Sequence, residues 1–387
     1  MNRFEAALRE LDASRRLRSI PEENDGLIDL VSNDYLSLAA REEEFHGEFL
    51  ERYKDASFSS SASRLLSRRQ KYHNMLELYL EEAYRKSVLL FNSGYQANVG
   101  TLSALASKET LFISDSLMHA SAIDGMMLGK GFGKSTVEKF SHNDIQEVRS
   151  ILERRSRDFE TVVVVTESIF SMDGDLGRIR ELTELRREFP NLLLYVDEAH
   201  ALGVRGERGL GMAEELGLID EIDIMIGTMG KAVASSGAFV ATSREIRDYL
   251  INRARSFIFS TAMPPINAAW SLFMLQRISG MTEEREKLKK VSDEFRNLLA
   301  EVNMGAGDGK FYLSESQIVP FVCGNAEKAI KAAENLRRNG FDVLPIRYPT
   351  VAIGTERLRF SLNSSLTIED LSPIPEILNQ THLTFRI

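Results

Sequence analysis

The sequence predicts an α/β fold in which helices flank a mainly parallel β-sheet. Three apolar runs have the length of buried strands rather than helices: residues 161–166, 192–196 and 222–226. Stretches long enough for helices separate them, which is the pattern of repeated strand–helix–strand units. Polar residues follow each run, and open α/β sheets bind ligands at the carboxyl ends of their strands. We therefore expect these polar residues to converge on one crevice.

The size and composition of the chain exclude several classes of protein. Its 387 residues suffice for a large core and two domains. The net charge of −9 argues against a nucleic-acid partner, and no apolar run is long enough to span a membrane. The single cysteine, Cys323, excludes an internal disulfide and fits a reducing compartment. With a charged N-terminus that does not resemble a signal peptide, we expect a cytoplasmic protein, and we predict no metal site.

The first elements of the chain are predicted from apolar spacing. Helical spacing of apolar residues predicts an amphipathic helix over residues 3–18. A short strand follows at 27–31. A second helix is expected at 73–83, with Met75, Leu76, Leu78 and Tyr79 as its core residues.

A turn after the next strand has the features of an anion site. Residues 87–91 form a predicted strand, and Ser93, Gly94 and Tyr95 then open a helix. The N-terminus of a helix presents free backbone N–H groups, and a glycine lets a ligand approach the backbone. Further along, residues 141–144 resemble the capping box of another helix.

Lys231 lies in a loop of small residues directly after the strand at 222–226. An exposed loop lysine is the ordinary interpretation. A lysine that forms a Schiff base needs partial desolvation and neighbours small enough to admit a flat ring, and this loop offers both.

The C-terminal part of the chain changes character. A charged helical stretch begins near residue 283, and strands are expected at 317–322, 342–345 and 357–362. We therefore predict three segments: an N-terminal helix and arm (1–45), a large domain (46–282) and a smaller α+β domain (283–387).

Six motifs together carry a family resemblance. They are SNDYL at 32–36, HAS at 119–121, FSMDGD at 170–175, DEAH at 197–200, TMGK at 228–231 and STAMPP at 260–265. With these motifs the chain resembles the α-oxoamine synthases, a group of class II pyridoxal-phosphate enzymes. The resemblance covers almost the whole chain and implies fold type I, the aspartate-aminotransferase-like fold.

The resemblance also implies the cofactor and the residues that hold it. The expected ligands of pyridoxal 5′-phosphate are Ser93, Gly94, Tyr95, His119, Ser171, Asp197, His200, Thr228, Lys231, Ser260 and Thr261. The expected catalytic residues are Lys231, which carries the cofactor, Asp197, which pairs with the pyridine nitrogen, and His119, which stacks on the ring. Because the 260–265 motif completes the partner subunit's phosphate site in this family, we expect a homodimer with shared active sites.

Residues for the substrates are expected elsewhere in the chain. Besides His119, the resemblance implies Arg18, Asn33 and Arg359, the last as the ligand of the amino-acid carboxylate. Each has an ordinary alternative: a basic helix end, a turn residue and an exposed strand arginine, respectively. Arg347 and Thr350 are candidates for the far carboxylate of a dicarboxylic acyl chain, although Arg347 also fits a surface turn.

The implied reaction is the decarboxylative condensation of an amino acid with an acyl thioester. Within the group the motifs most resemble the biotin-pathway branch, which uses L-alanine and a pimeloyl group carried by coenzyme A or a carrier protein. One alternative is another α-oxoamine synthase, such as a glycine C-acetyltransferase or an enzyme like serine palmitoyltransferase. Another is a non-catalytic subunit, although such subunits lack the lysine that this chain has at position 231.

Overall fold

The structure is a computed structural model that describes residues 2–20, 26–303 and 314–383. The chain divides into two compact units. The smaller unit comprises Met1–Tyr35, Met172–Asp175 and Glu286–Ile387, and the larger unit comprises Leu36–Ser171 and Leu176–Arg285. The three segments expected from the sequence remain a prediction.

The described residues form twelve strands. They are β1 (Ile28–Asp29), β2 (Ser87–Phe91), β3 (Thr110–Asp115), β4 (Thr136–Phe140), β5 (Thr161–Glu167), β6 (Leu192–Asp197), β7 (Ile224–Thr228), β8 (Ala238–Thr242), β9 (Ile318–Val322), β10 (Phe341–Asp342), β11 (Pro345–Ile346) and β12 (Arg357–Ser361).

The α-helices of the same residues are α1 (Arg3–Ala13), α2 (Glu43–Arg52), α3 (Lys71–Tyr84), α4 (Gly94–Leu105), α5 (Ala120–Gly133), α6 (Ile145–Arg155), α7 (Ile179–Glu188), α8 (Met212–Glu215), α9 (Arg244–Arg253), α10 (Arg255–Ile258), α11 (Pro265–Ile278), α12 (Thr282–Asn303), α13 (Ala326–Arg338), α14 (Ile368–Leu371) and α15 (Ile374–Leu383). In the described parts of the chain, we find no helix that combines the length and the apolar character needed to cross a membrane.

The larger unit is built around a seven-stranded sheet of order β2-β8-β7-β6-β5-β3-β4. The five strands β4, β3, β5, β6 and β7 run parallel to one another. Strand β8 runs antiparallel to both of its neighbours, β7 and β2. The centre of the sheet is covered on both faces, since the valines 162–165 of β5 are fully buried. This confirms the predicted α/β fold with a mainly parallel sheet.

The carboxyl ends of the central strands meet at one edge of this sheet, as the sequence predicts. In the register of β5 and β6, Glu167 lies opposite Asp197. On the other side of β6, Asp197 lies opposite Ile226 of β7, two residues before Thr228. Polar residues that are distant in sequence therefore become neighbours.

Helix α5 lies very close to helix α4 because of a glycine. A Cβ atom added at Gly125 would be 2.9 Å from the backbone oxygen of Asn98 and 3.0 Å from Cβ of Leu102. Any larger residue would push the helices apart. This contact fixes α4, and with it Asn98, against the start of α5.

The smaller unit contains two small sheets. Strands β1 and β10 pair in parallel, and β11, β12 and β9 form an antiparallel sheet in that order. The expected strand at 342–345 is thus two short strands, β10 and β11, which belong to different sheets. A buried ion pair joins Arg357 of β12 to Asp173, which places the 172–175 segment in this unit.

Helix α1 is shorter than predicted. It ends at Ala13 because Arg15 takes a left-handed backbone conformation, with φ 54°, and the N–H groups of Arg15 and Arg16 bond back to the last turn. Residues 16–18 therefore leave the helix. The predicted apolar face of α1 is largely exposed in the single chain, with Phe4 64% accessible.

The expected core residues of α3 are only partly confirmed. Leu76 is buried and Tyr79 is partly buried, but Met75 and Leu78 are 39% and 64% exposed, because the buried face of α3 runs through Tyr72, Leu76 and Leu80. The cap of α6 is Asp144, whose carboxylate accepts the backbone N–H of Glu147. The cap predicted within residues 141–144 is thus confirmed, and Asp144 provides it.

Candidate active site

Lys231 lies in the loop between β7 and β8, at the carboxyl edge of the large sheet. Its Nζ atom is 3.0 Å from Nε2 of His200, and its side chain is partly buried. Small residues surround it, and a Cβ added at Gly203 would be 2.8 Å from Cβ of Ala232. The structure therefore brings together an amine and an imidazole in a tightly packed loop.

Asp197 ends β6 and is almost fully buried, with 5% of its surface accessible. Its two oxygens accept hydrogen bonds from Nδ2 of Asn98 at 2.8 Å and from the backbone N–H of Ala199 at 2.9 Å. Burying a carboxylate is costly unless it is hydrogen-bonded, and these two donors supply bonds. The carboxylate is thereby fixed in orientation.

His119 caps the start of helix α5 beside Asp197. Its Nδ1 is 2.7 Å from Oγ of Ser121, and its backbone N–H donates to Oε1 of Glu167 at 2.6 Å. Burial lowers the pKa of His119, while the charge of Asp197 opposes and the charge of Lys231 reinforces the shift. The imidazole is thus favoured in its neutral form.

Glu167 is a functional candidate that the sequence reasoning did not single out. It is fully buried at the end of β5, and burial, reinforced by the charge of Asp197, raises its pKa to about 8. The N–H of His119 and the charge of Lys231 oppose this shift. The Glu167 carboxyl therefore holds its proton more strongly than an ordinary glutamic acid does.

Asn98, Ser121 and Tyr195 were also missed. The amide of Asn98 donates to Ser121 Oγ at 2.9 Å and accepts the hydroxyl of Tyr195 at 2.5 Å. All three side chains are buried. The one available signal was a polar residue at position 98, one turn into a predicted apolar helix.

The predicted anion turn forms as expected. Ser93 caps helix α4 and its Oγ accepts the backbone N–H of Gln96. Gly94 lies against Thr228, since an added Cβ would be 3.5 Å from the Thr228 hydroxyl oxygen. The helix start and the hydroxyl therefore face one region. Tyr95, whose ring is half exposed, donates its hydroxyl to Asp124.

Ser260 and Thr261 lie beside this turn within the same chain. Nδ2 of Asn92 is 3.1 Å from Ser260 Oγ and 2.5 Å from the carbonyl oxygen of Thr261. Thr261 also forms an isolated β-bridge with Ser63. Their expected contribution to the partner subunit's site stays a prediction. Ser171 lies in the turn after β5 and is partly buried.

The predicted substrate residues belong to the smaller unit. Nη2 of Arg359 on β12 donates to Oδ1 of Asn33 at 3.1 Å, and Tyr35 donates to the same oxygen at 2.9 Å. Arg359 is only 8% exposed, so it is not the exposed strand arginine that the sequence also allowed. Burial raises the pKa of Tyr35, against the opposing charge of Arg359.

A second group of arginines surrounds the loop at 347–350. Nη2 of Arg18 donates to Oγ1 of Thr350 at 3.0 Å, and Arg347 donates to the carbonyl oxygen of Arg15. The Arg16 guanidinium lies over the ring of Tyr348, 4.3 Å from its centroid. Burial, together with the charge of Arg18, lowers the pKa of Arg347. Two like charges therefore lie close together.

The residues at the sheet edge fit pyridoxal 5′-phosphate. The start of α4, with Gly94 and the Thr228 hydroxyl, offers N–H and O–H donors to a phosphate. The buried Asp197 carboxylate suits a protonated ring nitrogen. The Lys231 amine supplies a nucleophile for the aldehyde. In the described residues we find no group of three histidine, cysteine or carboxylate side chains arranged to hold a metal ion.

Comparisons with known proteins agree with this geometry. The family model of class I and II aminotransferases matches residues 25–376. A curated protein of Pasteurella multocida (strain Pm70) with the name "Putative 8-amino-7-oxononanoate synthase" is 41% identical over 381 residues, which cover 95% of this chain and 96% of that protein.

Solved structures share the fold. A serine palmitoyltransferase of Sphingomonas wittichii has a TM-score of 0.86 at 24% identity, and the match covers 99% of this chain and 97% of that one. An 8-amino-7-oxononanoate synthase from Francisella tularensis has a TM-score of 0.76 at 26% identity, with coverage of 94% and 100%. The family match and these structures confirm the predicted fold type I.

Proposed function

The chain belongs to the class I and II aminotransferase family, and from this premise we propose that it condenses L-alanine with a pimeloyl thioester. The products are 8-amino-7-oxononanoate, CO₂ and the free thiol, in a step of biotin biosynthesis. At the coarser level the chain is a pyridoxal-phosphate-dependent acyltransferase of the α-oxoamine synthase group. The choice of alanine and pimeloyl is the finer proposal.

One observation carries the proposal: an amine, an imidazole and a buried carboxylate lie at one edge of the large sheet. Lys231 contacts His200, and the charges of Asp197 and Lys231 both act on His119. When bound, pyridoxal 5′-phosphate supplies an electron sink that stabilises negative charge at the α-carbon of an amino acid. Asp197 would hold the ring nitrogen in its protonated form, and His119 would lie against the ring.

Lys231 is the proposed general base and general acid at the α-carbon of the amino acid. Its amine would remove the proton from the α-carbon of alanine and would later return a proton to the product. A general base must lie within hydrogen-bonding reach of the proton that it moves. The position of Lys231 in the loop between β7 and β8, with Nζ 3.0 Å from a ring nitrogen of His200, supports this role.

Arg359 and Asn33 would bind the carboxylate of the amino acid. The guanidinium is buried, and its planar fork could donate two parallel hydrogen bonds to a carboxylate. Asn33 holds the guanidinium by its Oδ1 atom, so that the fork is oriented before the substrate arrives. This preorganisation lowers the cost of binding.

Arg18, Arg347 and Thr350 support a dicarboxylic acyl donor. In the described residues, neither arginine has a carboxylate within ion-pair distance. Arg347 is partly desolvated and lies close to the positive charge of Arg18. The far carboxylate of a pimeloyl group would neutralise this pair, whereas an acetyl or palmitoyl group has no charge to offer there. This favours a dicarboxylic donor such as pimeloyl over acetyl and palmitoyl donors.

A substrate panel tests the proposal directly. Purified protein with bound cofactor would be supplied with L-alanine, glycine or L-serine and with pimeloyl, acetyl, succinyl or palmitoyl thioesters, the pimeloyl group on both coenzyme A and acyl-carrier protein. Thiol release and product mass are the measurements. We expect turnover to be highest for alanine with a pimeloyl donor, and 8-amino-7-oxononanoate as the product.

Other outcomes of the panel identify the alternatives. Preferred use of glycine with acetyl-CoA would indicate a glycine C-acetyltransferase, and serine with palmitoyl-CoA an enzyme like serine palmitoyltransferase. Cofactor binding without turnover of any pair would indicate a non-catalytic subunit. Each of these results contradicts the proposal.

A further inference from the structure

We infer that Ser121, Asn98 and Tyr195 hold the imidazole of His119 in one neutral form, with its proton on Nε2. They do so through a hydrogen-bond chain that ends on Asp197. The links are His119 Nδ1 to Ser121 Oγ at 2.7 Å, Ser121 Oγ to Asn98 Nδ2 at 2.9 Å, and Asn98 Nδ2 to Asp197 Oδ2 at 2.8 Å. The stacking of this imidazole on a cofactor ring rests on the proposed function. The hydrogen-bond chain does not depend on that function.

The orientation of the Asn98 amide determines which group donates in each hydrogen bond of this chain. Its Nδ2 group has two hydrogens, which point to Ser121 Oγ and to Asp197, and its Oδ1 accepts the Tyr195 hydroxyl. A flipped amide would place Oδ1 against the Asp197 carboxylate. Asn98 is 2% exposed and Tyr195 is fully buried, so solvent would not compensate for that repulsion. Asn98 is therefore a donor towards Ser121.

This orientation fixes the hydroxyl of Ser121. Its oxygen accepts a hydrogen from Asn98, which leaves its own hydrogen available to Nδ1 of His119. The backbone N–H of Ser121 also points to Nδ1, at 3.2 Å. Two donors aimed at one nitrogen require a lone pair there. The single ring proton of the neutral imidazole must then be on Nε2, and the lowered pKa of His119 agrees with a neutral ring.

A neutral imidazole in this position has a chemical consequence. An imidazolium stacked on a protonated pyridine ring would bring two positive charges together, and a neutral ring avoids this repulsion. The same Asn98 amide also fixes the orientation of the Asp197 carboxylate. Asn98, Ser121 and Tyr195 are therefore positioning residues, which act on the cofactor through His119 and Asp197.

The ring nitrogens of His119 can be observed directly by ¹⁵N NMR of full-length protein with labelled histidine. The spectra are recorded with and without bound cofactor, and the signals are assigned with a His119→Asn variant. We expect His119 to be unprotonated at Nδ1 and protonated at Nε2. His142 is an internal comparison of the opposite form, because its Nδ1 lies 3.0 Å from the Asp115 carboxylate, to which it donates.

The variant Ser121→Ala removes one of the two donors to Nδ1. A neutral hydrogen bond of this kind should change the protonation equilibrium of His119 by about two- to tenfold, in favour of the imidazolium. The second tautomer should also become visible. Ser103→Ala is the matched control, since its hydroxyl lies on the same helix as Asn98 but bonds only to carbonyls of that helix. It should leave both measurements unchanged.

Two results would overturn the inference. One is a proton on Nδ1 of His119 in the wild-type protein, a result that does not depend on how the Ser121 variant folds. The other is a Ser121→Ala protein with the wild-type tautomer and protonation equilibrium. Failure of the proposed function gives a different pattern, in which the expected tautomer is found but alanine and pimeloyl thioester are not condensed.

Discussion

Lys231 is the residue on which the proposed chemistry depends most directly. Replacing it by alanine should leave the fold intact, because the side chain is only partly buried and lies in a loop. Lys231→Ala should lose the covalent adduct with the cofactor that borohydride fixes in the wild-type protein. Mass spectrometry of the reduced protein measures this. If the variant still shows the mass increase of the reduced cofactor adduct, the assignment is contradicted.

Glu167 makes a prediction about stability and pH. In the native protein its pKa is about 8, against an ordinary value of 4.5. Between these values the native state holds a proton that the unfolded chain has released. The stabilisation from this proton is complete below about pH 4.5 and is lost as the pH rises through about 8.

The variant Glu167→Gln cannot titrate at this position and retains an oxygen that can accept the N–H of His119. The difference in unfolding free energy between wild type and variant should therefore fall with rising pH. The slope should be at most about 1.4 kcal/mol per pH unit. Urea unfolding of cofactor-free protein at pH 5.5, 6.5 and 7.5 measures it. A difference that stays constant over this range would mean that Glu167 is ionised throughout.

Arg347 should determine the choice of acyl donor rather than stability. If it pairs with the far carboxylate, Arg347→Ala should weaken transition-state binding of a pimeloyl donor by about 1.5–3 kcal/mol. A neutral acyl-CoA of equal length should be almost unaffected. The measurement is kcat/KM for both donors, with Arg338→Ala as a control, since Arg338 is an exposed arginine of the same unit. Equal losses for both donors would refute charge pairing.

The site residues that sequence reasoning found and those that it missed differ in a physical way. Lys231 and Asp197 could be predicted, because each directly follows an apolar strand and carries chemistry of its own. Glu167 also follows such a strand, but its significance depends on the charge of Asp197 across the sheet. The role of Asn98 depends on its hydrogen bond to Asp197, which lies 99 positions away in the sequence. Sequence patterns show where a residue lies along one helix or strand. The roles of Glu167 and Asn98 depend on contacts between different helices and strands.

At the level of elements, the same distinction holds. The long strands were predicted nearly to the residue, since β2 covers the expected residues 87–91 and β6 extends 192–196 by one. The short strands were not predicted with the same accuracy. The run at 342–345 has the composition of one strand, but its two halves pair with partners in different sheets. Pairing partners, rather than local propensity, decide such short segments.

The close contact of α4 and α5 gives a prediction at this scale. Gly125→Ala would bring a Cβ to 2.9 Å from the Asn98 backbone oxygen and 3.1 Å from Cα of Val99, and backbone atoms yield little. Overpacking of this kind costs about 1–3 kcal/mol. Thermal or urea unfolding measures the loss. Cofactor affinity should fall as well, because Asn98 moves with its helix.

Gly131 provides a matched control in the same helix. A Cβ added there meets nothing within 4 Å. Alanine also favours the helix over glycine by up to about 1 kcal/mol, so Gly131→Ala should be neutral or stabilising. If both variants behave alike, close packing at Gly125 does not determine the approach of α5 to α4.

At the scale of the whole molecule, the chain separates its expected functions between two units. The residues expected to hold the cofactor lie in the larger unit, and Arg18, Asn33, Arg347, Thr350 and Arg359 lie in the smaller one. The smaller unit is assembled from both ends of the chain and the 172–175 segment. Composition along the chain does not show which distant segments pack together, so this assembly could not be read from the sequence.

The expected homodimer is a prediction about the assembled molecule. If Ser260 and Thr261 complete the partner subunit's phosphate site, one active site uses Lys231 of one subunit and Thr261 of the partner subunit. Lys231→Ala and Thr261→Ala should each impair activity, the second through weaker cofactor binding. Thr261→Ala keeps the carbonyl oxygen that Asn92 contacts, so the local fold should be retained.

Mixing the two variants after dissociation should restore activity if sites are shared. A hybrid dimer then has one doubly damaged site and one undamaged site. Random pairing makes half of the dimers hybrids, so about a quarter of the wild-type activity should return. In the control, Lys231→Ala is mixed with Thr228→Ala, whose hydroxyl belongs to the same subunit as its lysine, and no undamaged site can form. Recovery that is no greater with Thr261→Ala than with Thr228→Ala would show that Thr261 serves its own chain, where the contact with Asn92 already places it.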